Sequence, residues 1–431
     1  MKTVIIQKEK TVNGILFCLF LYFILDFFLR FPNRIHGYGA LRPTLVAAIF
    51  IFVLLFLHAG ILKEKLKGDV VKAIGILLLY IFVSSPLVEY QGSFYRFYLV
   101  DFIKAIVFFY FTILIVDTYK RQLWFLGLFI SCQVFRVIEP LYLNMTEGYW
   151  GDRTFVSGGE FANRLAGAPA DIVNPNELGF VIVTIIPFLH FIMLKRGFII
   201  KSLYFILLPC LLYALLLTMS RGSMIVLLVG AWLILKNTKY KLPFLILGAV
   251  LAVAGWSTLD SFTKDRYLSI VGAGKLEQNA KTSEGRLNGL LGEFKLGMSR
   301  PIVGHGVGTT REAKYNLTGR SQASHNMYGE LVIEIGLIGL FLFIKFILAI
   351  KNELKKIDVG ESNDPQIIYH QNINEICKIV LIMYAIYSLN YYGLSQYYWY
   401  LLAGLVVVNN RLMSDRFKEL EQNAQLTVDS K

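Results

Sequence analysis

The run SLYFILLPCLLYALLLT at residues 202–218 decides the fold. It carries no charge and is long enough to cross a hydrocarbon core of roughly 30 Å as a helix. Met219-Ser220-Arg221 follows at once, and then a second apolar run, 222–235. Outward from this pair, comparable runs recur at 14–29, 44–62, 71–88, 99–116, 122–138, 177–194, 242–258, 326–350, 375–392 and 395–408. Only 17% of the residues are charged, against about a quarter in a soluble domain. The expected fold is therefore all-α: a polytopic membrane protein with about 12 transmembrane helices. The count drops to ten if the short runs 222–235 and 395–408 do not span.

A net charge of +13 would suggest nucleic acid in a soluble protein. Here the cations sort by loop instead, as the positive-inside rule describes, so no nucleic acid is expected. With the N-terminus inside, the inner segments hold about 21 Lys and Arg. The short outer loops hold about 5, namely Arg30, Arg34, Arg42, Arg96 and Arg221. Both termini are expected in the cytoplasm, and the residues after Arg411 as a solvated tail. The first span follows Lys2, Lys8 and Lys10 but ends in Phe27-Phe28-Leu29-Arg30-Phe31, with no small-residue cleavage site, so it is expected to stay as a helix. Cys18, Cys132, Cys210 and Cys377 all fall inside spans without ligand spacing, which argues against a disulfide framework or a cysteine metal site.

Two outer loops, 139–176 and 259–325, are far longer than connections between packed helices, and long loops of ordered composition are usually functional. The first holds Tyr149, Trp150, Arg153 and Arg164, and ends in Asn174-Pro175-Asn176-Glu177. Asn174 or Asn176 suits a helix N-cap there, with Glu177 favoured by the helix dipole. Tyr149 and Trp150 suit sugar stacking, although interfacial aromatics need no ligand. In the second loop Leu287, Leu290, Leu291, Phe294 and Met298 recur at helical spacing until Pro301. This short amphipathic helix is expected on the bilayer surface or packed over the bundle, and glycines 289, 292 and 297 favour the second.

Three outer-face positions carry candidate chemistry. Arg221 lies in the break between two apolar runs, where a cation is costly without a partner. Arg286 opens the loop helix, and a cation there opposes the helix dipole. His325 stands just before the span starting at 326. A guanidinium fork suits a lipid diphosphate better than an ammonium does.

The ordered phrases from residue 164 to 345 resemble the bacterial O-antigen ligase and polymerase superfamily. They are Asn174-Pro175-Asn176-Glu177-Leu178-Gly179, Ser220-Arg221-Gly222, Gly285-Arg286-Leu287, Pro301-Ile-Val-Gly304-His305-Gly306-Val-Gly308 and Ser324-His325-Asn326-Met-Tyr-Gly-Glu330, leading to Glu334-Ile-Gly336-Leu-Ile-Gly339. The ligase pattern of His-Asn, nine residues, Gly, two residues, Gly is met by His325, Asn326, Gly336 and Gly339. Its companion, Arg, three residues, Leu, is met by Arg286 and Leu290. The polymerase pattern of Arg, ten residues, Gly is met by Arg286 and Gly297, without a good match in loop 139–176, which tilts the reading towards ligase.

The resemblance implies metal-independent, inverting transfer of a glycan from an undecaprenyl-diphosphate donor to a glycan or lipid A core acceptor, at the outer face of the bacterial inner membrane, with no cofactor. Neither outer loop offers a His/Cys/Asp/Glu cluster at ligand spacing. Arg221 and Arg286 would meet the diphosphate, and His325 would take the acceptor proton or only orient the acceptor. Arg164, Asn176, Asn326, His305 and Glu330 are the implied substrate contacts, although Glu330 and Glu334 also suit pairing with other buried groups. A repeat-unit polymerase is the alternative, and a lipid-linked oligosaccharide flippase without chemistry is a third reading. The expected division is N-terminal helices 1–138, outer loop 139–176, a ligase-like core 177–350 containing loop 259–325, and C-terminal helices and tail 351–431.

Overall fold

The computed structural model describes residues 11–155, 161–171, 173–236, 241–274, 289–319, 321–356, 362–391 and 393–429. Arg286 and Leu287 lie outside the described residues. Each of the twelve expected spans falls on a helix: α1 (Gly14–Leu29), α2 (Pro43–Leu57), α3 (Asp69–Ser84), α4 (Leu99–Ile115), α5 (Tyr119–Glu147), α6 (Pro175–Met193), α7 (Phe198–Thr218), α8 (Arg221–Lys236) and α9 (Lys241–Thr258), then, after three shorter helices, α13 (Met327–Lys355), α14 (Pro365–Tyr387) and α15 (Tyr397–Asp429). The shorter ones are α10 (Ser261–Leu268), α11 (residues 289–297) and α12 (Thr310–Thr318). Eight helical stretches among the described residues qualify as membrane spans by length and apolarity alone, α2, α3 and α4 doing so together with the helical turns that adjoin them (Tyr38–Leu57, Asp69–Leu87 and Gln91–Ile115). Helices α1 and α8 are shorter, at 16 residues each.

Several helices outrun their apolar stretch. Helix α5 continues through residues 139–147 and stops only at Gly148, whose φ of 71° is the left-handed helix end that glycine tolerates. Hydropathy marks where the hydrocarbon ends, whereas a helix ends where its backbone is capped. Asn174 caps α6 by accepting from the Glu177 N–H at 3.0 Å, with Pro175 in the first turn, so the cap is Asn174 and not Asn176. Asn326 caps α13 in the same way through Gly329.

Helix α6 sits inside the bundle against α5, α7, α8 and α14, while α15 lies along α4, and α13 along α3. By contrast α9 buries no residue, as suits an apolar helix on the rim of the bundle. A cluster of rings, among them Phe20, Phe23, Phe28, Phe108 and Tyr397, knits α1, α4 and α15. Lipid competes for apolar surface, so interlocked packing of this kind holds such helices together.

Polar contacts gather at the two ends of the bundle. At one end Asp117 accepts from Lys65 (3.0 Å), Arg121 (2.6 Å) and the Val12 N–H (2.8 Å), and Arg411 caps the carbonyls of Ile113 and Val116 at the end of α4. At the other end Arg136 grips Asp171 through two bonds (2.6 and 3.1 Å), and Arg34 pairs with Glu139. These contacts dock the connection between α5 and α6. That connection contains the strands β1 (Gly151–Phe155) and β2 (Phe161–Leu165), paired antiparallel with Gly151 opposite Leu165.

The long connection between α9 and α13 folds differently from expectation. The stripe Leu291, Phe294 and Met298 is exposed, continued by Ile302, while Glu293, Leu296 and Gly297 form the buried face of α11. Glu293 meets Gly329, Gly297 packs on Val332 and Ile302 reaches Gly336, so α11 descends beside the first half of α13. The return arm α12 bonds Glu334 through Thr310 (2.7 Å) and reaches back to Glu293 through Lys314. Residues 289–318 thus form a hairpin packed against the first half of α13, the geometry of a re-entrant segment.

At its tip α13 is broken. Gly336 has φ 67° and ψ −175°. The carbonyls left without helical partners are taken by the loop and by α3: the His305 N–H bonds Ile333 O (2.7 Å), the Gly306 N–H bonds Glu334 O (3.0 Å), and the Tyr80 hydroxyl of α3 bonds Ile335 O (2.9 Å). Irregular backbone at this depth, about 14 Å along α13 from Met327, is sustained only where protein satisfies it.

Candidate functional site

The short turn between α7 and α8 is strained and surrounded by cations. Met219 adopts φ 52° and ψ 30°, a left-handed conformation that costs a non-glycine residue of order 1 kcal/mol or more. Three side chains from two other segments, β2 and α10, tie down the last carbonyls of α7. Arg164 on β2 donates Nε to Thr218 O (2.9 Å), Arg266 on α10 donates Nε to Met219 O (3.0 Å), and the Tyr267 hydroxyl donates to Leu216 O (3.0 Å). Cations suit this negative end of the helix dipole. Burial pushes the Tyr267 phenol above its usual range.

Arg221 stands at the first position of α8 and donates to Ser269 Oγ at 2.9 Å, and Ser269 in turn donates to Arg266 O. Arg164, Arg221 and Arg266 are each only 7% exposed, so one end of the bundle keeps three guanidinium groups largely away from water. Asn176, freed from capping, accepts from Arg164 at 3.0 Å. Helices α6 and α8 approach closely because Gly179 has no side chain, and a Cβ there would lie 2.5 Å from Ser223 Oγ.

His325 is exposed, with Nε2 3.1 Å from the Gln322 amide, but the backbone around it is fixed. Ser324 and Asn326 are buried, and Asn326 donates to Leu389 O at 3.1 Å while Met327 N–H donates to Ser388 O at 2.8 Å. The turn 388–391 also meets the other two helix starts. A Cβ at Gly222, next to Arg221, would lie 3.4 Å from Asn390, and Tyr391 contacts Asn174 and Glu177, each at 3.2 Å. The starts of α6, α8 and α13 therefore share one hub, which gathers Asn176 with Arg164, Arg221, and His325 with Asn326.

His305 and Glu330 are engaged elsewhere. His305 is buried under Tyr90, with Nδ1 2.6 Å from Glu89 and Nε2 3.3 Å from Ser299 Oγ. Glu330 accepts the N–H groups of Gly393 (2.7 Å) and Leu394 (3.2 Å). Tyr149 is spent on the loop, donating to Gly167 O at 2.6 Å. Arg266 and Glu293 escaped the sequence reading. The signal for Arg266 was the Asp260 cap before Ser261, which accepts from the Thr263 N–H at 3.0 Å and announces a helix in the loop. Glu293 was hidden among leucines. Among the described residues no group of three or more His, Cys, Asp or Glu side chains is arranged to hold a metal ion.

Fold and site together define a polytopic membrane protein with a cationic, histidine-bearing hub at one end of its bundle. Residues 205–344, which run from α7 through the re-entrant hairpin into α13, match the O-antigen ligase family, and the chain carries a domain of the O-antigen ligase and polymerase superfamily. That domain indicates a membrane glycosyltransferase of the ligase or polymerase type. No match was found among curated proteins.

Proposed function

We propose that the chain transfers a glycan from an undecaprenyl-diphosphate carrier to an acceptor hydroxyl, on a further glycan or a lipid A core, at the outer face of the bacterial inner membrane. The observation that carries this reading is the convergence of Arg164, Arg221 and Arg266 on the α7–α8 turn, beside the hub that presents His325. A diphosphate leaving group gains charge as the glycosyl bond breaks. Preorganised guanidinium groups and the positive N-terminus of α8 favour that transition state over the ground state.

In the proposed step the acceptor oxygen attacks the anomeric carbon from the face opposite the diphosphate, and its proton passes to the His325 imidazole as the carbon–oxygen bond to phosphate breaks. Arg221 and Arg286 hold the diphosphate. Arg164 and Asn176 shape the cradle, while Asn326, His305 and Glu330 support it by fixing the helix start and the two loops. The reaction needs no metal, because the guanidinium groups carry the phosphate charge.

Purified protein in vesicles, supplied with lipid-linked glycan and candidate acceptors, tests the proposal. Arg221→Lys and Arg286→Lys should each slow transfer by about a hundred- to a thousandfold, and His325→Ala should abolish it without loss of folded protein. Turnover should survive chelation. A ladder of repeat units in place of a single capped acceptor would identify a polymerase. Movement of lipid-linked glycan across the vesicle without new glycosidic bonds would sink the enzymatic reading.

A further inference from the structure

Glu293 is 4% exposed on α11, and three segments converge on its carboxylate. Lys314 of α12 pairs with it, Ser324 donates Oγ at 2.8 Å, and the backbone N–H of His325 approaches at 3.4 Å. Helix α13 comes close because Gly329 has no Cβ, which would lie 2.6 Å from Glu293 Oε2. The single Ser324 hydroxyl hydrogen is shared between Glu293 and the Asn326 carbonyl (2.6 Å), and its oxygen accepts the Asn326 N–H (3.1 Å). One carboxylate thereby sets the backbone on which the exposed imidazole stands. Lys314 is pinned too, donating to Ala323 O at 3.3 Å.

We infer that Glu293 is a positioning residue for glycan transfer: paired with Lys314 in the re-entrant hairpin, it holds the Ser324-His325-Asn326 backbone so that the imidazole meets the acceptor hydroxyl. This rests on the role given to His325 above. The carboxylate is suited to the task because it accepts from a cation, a hydroxyl and an amide at once, while an amide side chain in its place has one acceptor oxygen and leaves Lys314 without its counter-charge. A displacement of the base by about 1 Å costs on the order of a hundredfold in rate while substrate binding is retained.

The test uses the full chain in vesicles and two variants. Glu293→Gln should lower kcat by about a hundredfold with the KM for donor unchanged. The paired change Glu293→Met with Lys314→Met removes both charges together, which a buried ion pair usually tolerates. It should keep a native-like melting temperature yet remain as slow as Glu293→Gln. Native turnover in either folded variant, with His325→Ala inactive, would overturn the inference alone. Loss of folded protein in both variants would also overturn it, by making the pair a requirement of folding. Transfer surviving His325→Ala would instead remove the base assignment, and this inference with it.

Discussion

Gly336 turns left-handed inside a membrane helix, and a Cβ there would overlap the carbonyl of Ile302. Gly336→Ala should therefore cost at least about 2 kcal/mol in strain, read as a lower melting temperature in detergent and less inserted protein. A melting temperature unchanged from the native chain would mean that the break in α13 is not needed. The glycine pair 336 and 339 was visible in the sequence as part of a pattern, but its reason was not, because a φ angle is not written in a residue name. The opposite case is Asp364, which caps α14 and bonds Arg416 at 2.7 Å. The Arg416 guanidinium holds the Asp364 carboxyl below its usual value. A depressed carboxyl contributes stability that is fully present above about pH 4 and is lost as the pH falls through the lowered value. Asp364→Asn keeps an oxygen for the cap but removes the charge that pairs with Arg416, so it should destabilise the protein at pH 7 by up to about 1 kcal/mol, with the difference from native shrinking in acid. A gap in melting temperature that widens below pH 4 would contradict this.

At the scale of elements the re-entrant hairpin shows how a correct periodicity can still mislead. The spacing of Leu290, Leu291, Phe294 and Met298 announced the helix, and most of the stripe is there, yet it faces away from the protein. In water an apolar stripe seeks the core. In a bilayer the solvent is itself apolar, so small and polar groups such as Gly297 and Glu293 face the neighbouring helix. The expectation that glycines would favour packing over the bundle holds for Gly297 alone. Glycines 289 and 292 have open space beside them. Spin labels at Leu291, Phe294 and Met298 should accordingly be relaxed by oxygen and shielded from a water-soluble nickel chelate, while a label at Asn316 on α12 should show the reverse. Equal exposure of both arms to the chelate would place the hairpin on the surface instead of beside α13. The hub at 388–391 left no trace in the sequence, because its carbonyls and the Asn390 and Tyr391 side chains meet segments far away in the chain, which any local pattern misses.

For the whole molecule, hydropathy was sufficient to locate every long helix, since crossing a bilayer demands an apolar run whatever the packing. Orientation is a separate matter and rests on charge. About 21 Lys and Arg fall in the connections assigned to the cytoplasm against about 5 in the short ones opposite, a bias that sets topology because cations are retained on the inner side. The contacts sort the same connections into two groups. Lys65, Asp117, Arg121 and Arg411 meet at one end, and the arginine turn, the β-hairpin and the 388–391 hub meet at the other. The first end should face the cytoplasm and the second the exterior, where a flipped lipid-linked glycan can reach it. A single cysteine at Arg311 should react with an impermeant maleimide on intact cells, whereas cysteines at Lys67 and Lys355, all three being exposed positions, should react only after permeabilisation. The native cysteines at 18, 132, 210 and 377 all lie in long apolar helices, Cys132 and Cys377 buried and Cys18 exposed, and provide the background measurement. Labelling of Lys67 and Lys355 from outside, with Arg311 protected, would invert the molecule and put the arginine turn and His325 in the cytoplasm, where nucleotide-activated sugars would replace the lipid-linked donor as the natural substrate class.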